Sequence, residues 1–172
     1  MKPLEAIGLW QWIDDHRADF EPPVGNKVIW NDSQFIAMVI RGPNARRDFH
    51  VDPSDEIFYM LKGAMTLETF EDGKRRVRTI GEGQMCLVPA LTPHSPHRPA
   101  DTWGLVIEIK RASTQTESLR WLCERCDTLL HEVTMHVADI EAQLKDAINA
   151  FDASVELRTC RACGRVQPER AA

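Results

Sequence analysis

The sequence has no apolar run approaching the ~20 residues that span a membrane. It has no long block of one charge sign and no basic surplus: 21 Lys and Arg stand against 26 Asp and Glu, a net charge of −5. That balance argues against general nucleic-acid binding, which needs a basic stripe to neutralise phosphates. Met1–Phe20 contains Asp14, Asp15 and His16 and no uninterrupted apolar segment, so neither an export signal nor a membrane anchor is expected there. No internal repeat or low-complexity tract is present. The expectation is a soluble cytoplasmic protein. Its 172 residues, 43% of them hydrophobic, suffice for one packed domain, or one domain with a small appendage.

What is present changes in texture along the chain. Leu4, Ile7, Trp10 and Ile13 have helical spacing, ended by Pro22 and Pro23. Short runs rich in β-branched, aromatic and other apolar residues follow at 28–30, 35–41, 57–62, 65–70, 75–80, 85–88 and 104–110. Turn residues separate them, and Asp72-Gly73 is a strong hairpin signal. Many short strands at regular intervals predict a mostly β sandwich or barrel. After Arg111 the pattern shifts. Glu117–Cys123 reads as a helical turn or more, Leu129–His136 as a strand, and Ile140, Leu144, Ala147, Ile148 and Phe151 as a helix. A boundary is expected near residue 112, giving a β-domain over 1–111 and an extension over 112–172.

Two segments of the β-region carry candidate metal ligands. His50-Val-Asp-Pro-Ser-Asp-Glu56 precedes Gly63, and Pro89-Ala-Leu-Thr-Pro-His94 follows Gly83. A lone histidine is more often structural than ligating; here the combination matters. Two imidazoles and one carboxylate suit a divalent iron and leave coordination positions open for substrate and O₂. Zinc fits the same ligands without redox chemistry. Asp55 competes with Glu56 for the carboxylate role.

Cys123/Cys126 and Cys160/Cys163 form two Cys-x-x-Cys pairs. Where no export signal is expected, such pairs read as a metal site before disulfides. Four soft ligands satisfy Zn²⁺ or a rubredoxin-like iron, with no open position for chemistry. The competing reading is a zinc-ribbon nucleic-acid reader. Arg158, Arg161, Arg165 and Arg170 favour it, but no aromatic residues interleave with them.

The spacing His50…Glu56…Gly63 and Gly83…Pro89…His94 resembles the two cupin motifs, with Asp52 in place of the usual second histidine. Residues 42–50, 55–63, 87–90, 94–99 and 104–108, together with 22–26 and 121–126, resemble the 3-hydroxyanthranilate 3,4-dioxygenase family from about Trp12 to the C-terminus. The resemblance implies a cupin-type double-stranded β-helix (jelly-roll) barrel with an N-terminal helix and a small C-terminal metal-binding α/β appendage. It favours Glu56 over Asp55, which breaks the spacing to Gly63. It implies a catalytic Fe(II) on His50, Glu56 and His94, and a second, structural iron or zinc on Cys123, Cys126, Cys160 and Cys163.

The implied activity is extradiol-type cleavage of 3-hydroxyanthranilate by O₂ to 2-amino-3-carboxymuconate semialdehyde, the precursor of quinolinate. Arg98 is implied to hold the substrate carboxylate, Arg46 to reach bound O₂ and substrate, and Glu108 to accept a hydrogen bond from the substrate amine. Asp48 and Asp52 are expected to accept from ligand or arginine N–H groups. The bland alternatives are a solvated Arg46 and a Glu108 turned outward to Lys110 or Arg111. Phe49, Ile57 and Met60 depart from the family pattern and are expected to border the pocket, where they bear on the ring substituents. The competing functions are a dioxygenase for a related carboxylated 2-aminophenol, a non-redox cupin isomerase or epimerase, and a small-molecule sensor. Family members are commonly dimers, which implies a homodimer; neither nucleic acid nor membrane is an expected partner. Gly25 and Asn26 suit a mobile Pro22–Lys27 loop.

Overall fold

The computed structural model describes residues 6–20, 25–44 and 46–169. Among these described residues, on which the element counts rest, helix α1 (Leu9–Asp15) and a short 3-10 turn (Arg17–Asp19) come first. Eleven strands follow: β1 (Gly25–Val28), β2 (Phe35–Arg41), β3 (Asp48–Val51), β4 (Glu56–Lys62), β5 (Met65–Glu71), β6 (Lys74–Ile80), β7 (Met85–Val88), β8 (His94–His97), β9 (Trp103–Ile109), β10 (Glu117–Leu122) and β11 (Leu129–Met135). Helices α2 (Ile140–Ala153) and α3 (Val155–Arg158) close it. Two antiparallel sheets, β1-β2-β9-β4-β7 and β11-β10-β3-β8-β5-β6, make up the expected mostly β architecture.

Strand texture follows burial. β2 is an almost continuous apolar run because both its faces are covered. Ile36, Met38 and Ile40 point into the barrel core, while Val39 packs with Ile13, Phe20 and Trp103 under α1. β4 alternates, with Glu56, Phe58 and Met60 buried. Asp72-Gly73 forms the expected hairpin: Glu71 pairs with Lys74, and both loop residues are left-handed, as a two-residue type I′ turn requires.

Past residue 111 the chain continues into the same architecture. β10 pairs with β3, and β11 extends that sheet. The helical reading of Glu117–Cys123 is overturned: Leu119, Leu122 and Cys123 mimic helical spacing, but the segment is a sheet strand with Glu117, Leu119 and Trp121 buried. α2 forms as its spacing predicts. Asp139 caps it by accepting from the backbone N–H groups of Glu141 and Ala142. Its buried stripe Ile140, Leu144, Ile148 and Phe151 joins the barrel core, where Phe151 stacks on Trp121 at 4.5 Å between ring centroids. Among the described residues, no helix is long and apolar enough to cross a membrane.

Of the segment expected to be a mobile loop, Gly25–Lys27 lies in β1, and 22–24 fall outside the described residues.

Candidate metal centre

β3 and β8 are short strands whose only register pair is His50 with His94. The pairing sets both imidazoles side by side, with ring centroids 5.3 Å apart. Glu56, first residue of β4, lies opposite Glu108 of β9 and Val88 of β7, so its side chain comes from the middle of the facing sheet. Its Oε1 lies 3.3 Å from His50 Nδ1 and 3.3 Å from His94 Nε2. All three side chains are buried. Asp55, the competing ligand, is exposed and accepts from the Ala90 backbone N–H at 2.8 Å.

The hydrogen bonds around these groups fix the imidazole tautomers. His94 Nδ1 donates to the Thr92 carbonyl at 2.9 Å, and a carbonyl only accepts, so Nε2 carries the lone pair. His50 Nε2 donates to Glu117 Oε1 at 3.0 Å, which leaves the Nδ1 lone pair facing Glu56. Two lone pairs and a carboxylate oxygen thus converge. Glu56 Oε1 is buried without a hydrogen-bond partner. Such a spot demands a cation, and the 3.3 Å separations suit donors sharing one ion at the ~2.0–2.2 Å typical of nitrogen and oxygen ligands. Burial opposes charge on Glu56, but His94 and His50 hold its carboxyl well below the usual range. Burial likewise opposes charge on His50, yet with no metal bound Glu56 and Glu117 raise it to about 10, so a cation taking the Nδ1 lone pair displaces the proton that Glu56 otherwise holds there.

Glu108 points inward and is buried, with both oxygens lacking a hydrogen-bond donor. Burial and then the Glu56 charge drive its carboxyl well above the ordinary range, against the pull of Arg111. The Arg111 side chain has no exposed surface and makes ion pairs with Asp52, Glu108 and Glu117. Arg111 Nη1 meets Glu108 Oε2, which leaves Oε1 as the available acceptor. Neither Arg111 nor Glu117 was legible as a site residue. The one sequence signal was negative: several carboxylates near one core need a buried cation.

Arg46 is buried rather than solvated, and Asp48, itself fully buried, grips it through both carboxylate oxygens. Arg98 is buried, with Nε and Nη1 unpartnered and its guanidinium over the Phe58 ring at 5.8 Å. Burial and then the charge of Arg46 push it down to about 9. A cavity of about 30 Å³ is bordered by His50, Glu56, His94, Arg46 and Glu108, with an apolar wall including Phe58, Pro96 and Val106. α2 closes that wall with Ile140 and Leu144. Arg98 is not on its lining, but its guanidinium stands over the ring of Phe58, which is. Phe49, Ile57 and Met60 do not border it either. A larger recess of about 550 Å³ lies beyond Ile140, but none of the clustered ligand groups among the described residues faces it.

The four cysteines form a second cluster. Cys123 and Cys163 sulfurs lie 3.6 Å apart, as do those of Cys126 and Cys160. That is far beyond a disulfide's ~2.0 Å and close to the ~3.8 Å edge of a tetrahedron built on ~2.3 Å metal–sulfur bonds. The two knuckles share one geometry: Asp127 N–H donates to the Cys123 carbonyl and Gly164 N–H to the Cys160 carbonyl, each at 2.9 Å. Hydrogen bonding from Thr128 lowers the Cys126 thiol to about 6, favouring the thiolate that binds metal.

Two antiparallel sheets around a buried His-Glu-His cluster define a β-barrel protein with a candidate metal centre. The profile of the 3-hydroxyanthranilic acid dioxygenase family matches residues 1–152. A 3-hydroxyanthranilate 3,4-dioxygenase from Bacillus thuringiensis is 50% identical over 169 residues, covering 98% of this chain and 94% of that one. The protein of that name from Paraburkholderia phytofirmans is 43% identical, covering 97% of each chain, and one from Neurospora crassa is 41% identical, covering 92% of this chain and 87% of that one. Among solved structures, a cupin-2 domain containing protein from Shewanella frigidimarina is 18% identical with a TM-score of 0.46, covering 59% of this chain and 99% of that one. The chain belongs to the 3-hydroxyanthranilic acid dioxygenase family.

Proposed function

We propose that this protein is an Fe(II)-dependent, extradiol-type dioxygenase that converts 3-hydroxyanthranilate and O₂ to 2-amino-3-carboxymuconate semialdehyde, the precursor of quinolinate. The observation that carries the reading is the buried convergence of His50, Glu56 and His94 on one unpartnered carboxylate oxygen, beside a cavity that Arg46 and Glu108 also line. The three residues would hold the iron, which supplies a common coordination sphere for ring and O₂ and lets charge pass between them.

The rest of the work falls to the chain. The unpaired N–H groups of Arg98 match a carboxylate in a two-point geometry that lysine cannot reproduce. Glu108 Oε1, which has no hydrogen-bond partner, suits the substrate amine, accepting its N–H and, when the carboxyl is ionised, its proton. Arg46, fixed by Asp48, places positive charge on the cavity wall where negative charge develops on oxygen. Phe58, Pro96, Val106, Ile140 and Leu144 exclude water. The cavity's 30 Å³ is smaller than the roughly 150 Å³ that accommodates benzene, so ring binding requires the wall to give way.

The proposal extends to a second, structural iron or zinc on the four cysteines, a homodimer and a cytoplasmic location. Exposed apolar side chains at the β7 edge, Met85 and Leu87, with Leu91 beyond it, support pairing with a second copy. The boundary near residue 112 is proposed as a functional division: the iron ligands precede it and the cysteines follow it.

The test is anaerobic Fe(II) loading followed by 3-hydroxyanthranilate and air. O₂ uptake with a new near-ultraviolet product band supports the reading. If the Fe(II)-loaded protein consumes no O₂ with any carboxylated aminophenol, the enzyme reading fails.

A further inference from the structure

Arg111 stands two residues beyond β9 and touches three carboxylates from three segments of the chain. Each guanidinium nitrogen takes one: Nη2 meets Asp52 Oδ2, Nη1 meets Glu108 Oε2 and Nε meets Glu117 Oε2. Glu117 then uses its other oxygen, Oε1, to accept from His50 Nε2 at 3.0 Å. A continuous path of contacts therefore runs Glu108–Arg111–Glu117–His50. Glu108 faces the cavity at one end, and His50 presents its free nitrogen to the metal position at the other.

We propose that Arg111 is a positioning residue that fixes the Glu108 carboxylate and the His50 imidazole relative to each other. The physical need is plain. Asp52, Glu56 and Glu108 carry oxygens within 4.8 Å of one another in a buried region, and carboxyl groups so placed cannot ionise together unless a cation divides them. A guanidinium is rigid and planar and serves three acceptors at fixed angles; an ammonium is a point charge that cannot span them. Loss of the fork frees Glu108 to turn and loosens Glu117, and with it the aim of His50. Partners that orient metal-binding histidines typically contribute ~10–100-fold in metal affinity or activity. The Glu108 arm rests on the ring-cleavage reading given above; the His50 arm does not.

The test uses the full chain with its cysteine-site metal in place and titrates Co(II) anaerobically into the histidine site. Wild type is compared with Arg111→Lys, Glu117→Gln and the double variant. Arg111→Lys and Glu117→Gln should each weaken Co(II) binding by ~10–100-fold while cysteine-site occupancy stays unchanged. The double variant should bind no more weakly than the worse single one, because both act through one path. With Fe(II) and substrate, Arg111→Lys should lower kcat about tenfold or more with KM changed by less than about threefold, the pattern of an interaction made chiefly in the transition state.

Wild-type Co(II) affinity in both single variants overturns the proposal, as does a lowered Tm with unaltered affinity and kcat, the mark of a merely structural role. Should Arg111→Lys fail to fold, Glu117→Gln decides alone, and wild-type affinity there also overturns it. A wild-type enzyme inert toward every aminophenol would sink the ring-cleavage reading while leaving the Co(II) comparison to judge Arg111.

Discussion

Glu117 Oε1 accepts the Nε2 proton of His50 at 3.0 Å, across 67 positions of sequence. This bond decides which imidazole nitrogen faces Glu56, and it comes from a strand that follows all three candidate iron ligands in the chain. His50→Ala should therefore remove metal from the histidine site and leave the cysteine-bound metal in place. Elemental analysis of the purified variant checks this, and loss of both metals would mean that the two sites are not separate.

The reciprocal substitution is Cys160→Ser. Cys160 is buried, and its sulfur lies 3.6 Å from that of Cys126. Replacing a soft ligand should abolish the second metal and lower Tm, while the histidine-site metal and kcat of the folded fraction are retained. A proportionate fall in kcat per histidine-site metal would show that the cysteine cluster takes part in the reaction.

The charge balance at His50 gives a pH dependence. Burial disfavours the imidazolium, but Glu56 and Glu117 outweigh it and raise the group to about 10, against ~6.5 for an unperturbed imidazole. A raised folded-state value stabilises fully below the unfolded value and is lost as pH climbs through the folded one. Protein stripped of metal should accordingly lose thermal stability between pH ~6.5 and about 10. Metal-loaded protein should lose less, since the bound cation replaces the proton. A Tm that stays flat across this interval in stripped protein would contradict the assignment.

Arg98→Ala should raise KM by ~10–100-fold, the equivalent of the ~1.5–3 kcal/mol that hydrogen bonds to charged groups contribute. Histidine-site metal content should not change, because Arg98 touches the Phe58 ring rather than a ligand residue. Arg98→Lys should recover only part of the loss, because it restores charge without the fork. An unchanged KM in both variants would remove Arg98 from the carboxylate role.

Gly42 shows how tightly the surroundings of Arg98 are built. A Cβ there would fall 2.0 Å from the Pro99 carbonyl oxygen and 2.4 Å from Thr102 Oγ1. Nearby, Asn44 Oδ1 accepts from the Arg98 backbone N–H at 2.7 Å, and Asn44 Nδ2 donates to the Pro96 carbonyl at 2.8 Å. Gly42→Ala should destabilise the protein by ~1–3 kcal/mol or more through overpacking. Because the same turn seats Arg98, it should also raise KM in the protein that folds. Thermal melts together with steady-state kinetics separate the two effects.

The β5–β6 hairpin, β2, β7 and α2 were legible because their signals are local: a two-residue Asp-Gly turn, apolar runs, and an i, i+4, i+8 stripe. The strands that carry the histidines were not. β3 and β8 are four residues each, rich in polar side chains and buried on both faces, and Pro96 interrupts the second. Residue spacing brought His50, Glu56 and His94 together on paper, yet their hydrogen-bond partners lie on segments far away in sequence. Arg111 follows Lys110 after an apolar strand and reads as a surface charge. Its burial is visible only once β10 is seen paired with β3.

β10 begins at Glu117, which steadies His50, and runs directly into Cys123 of the second cluster. Side chains alternate across a strand, so a one-residue slip of β10 against β3 would swing Glu117 to the opposite face and drag Cys123 out of its knuckle in the same movement. The two ligand clusters are thus gauges on one ruler: a spectroscopic change at the sulfurs and a change in histidine-site affinity would register the same displacement from opposite ends.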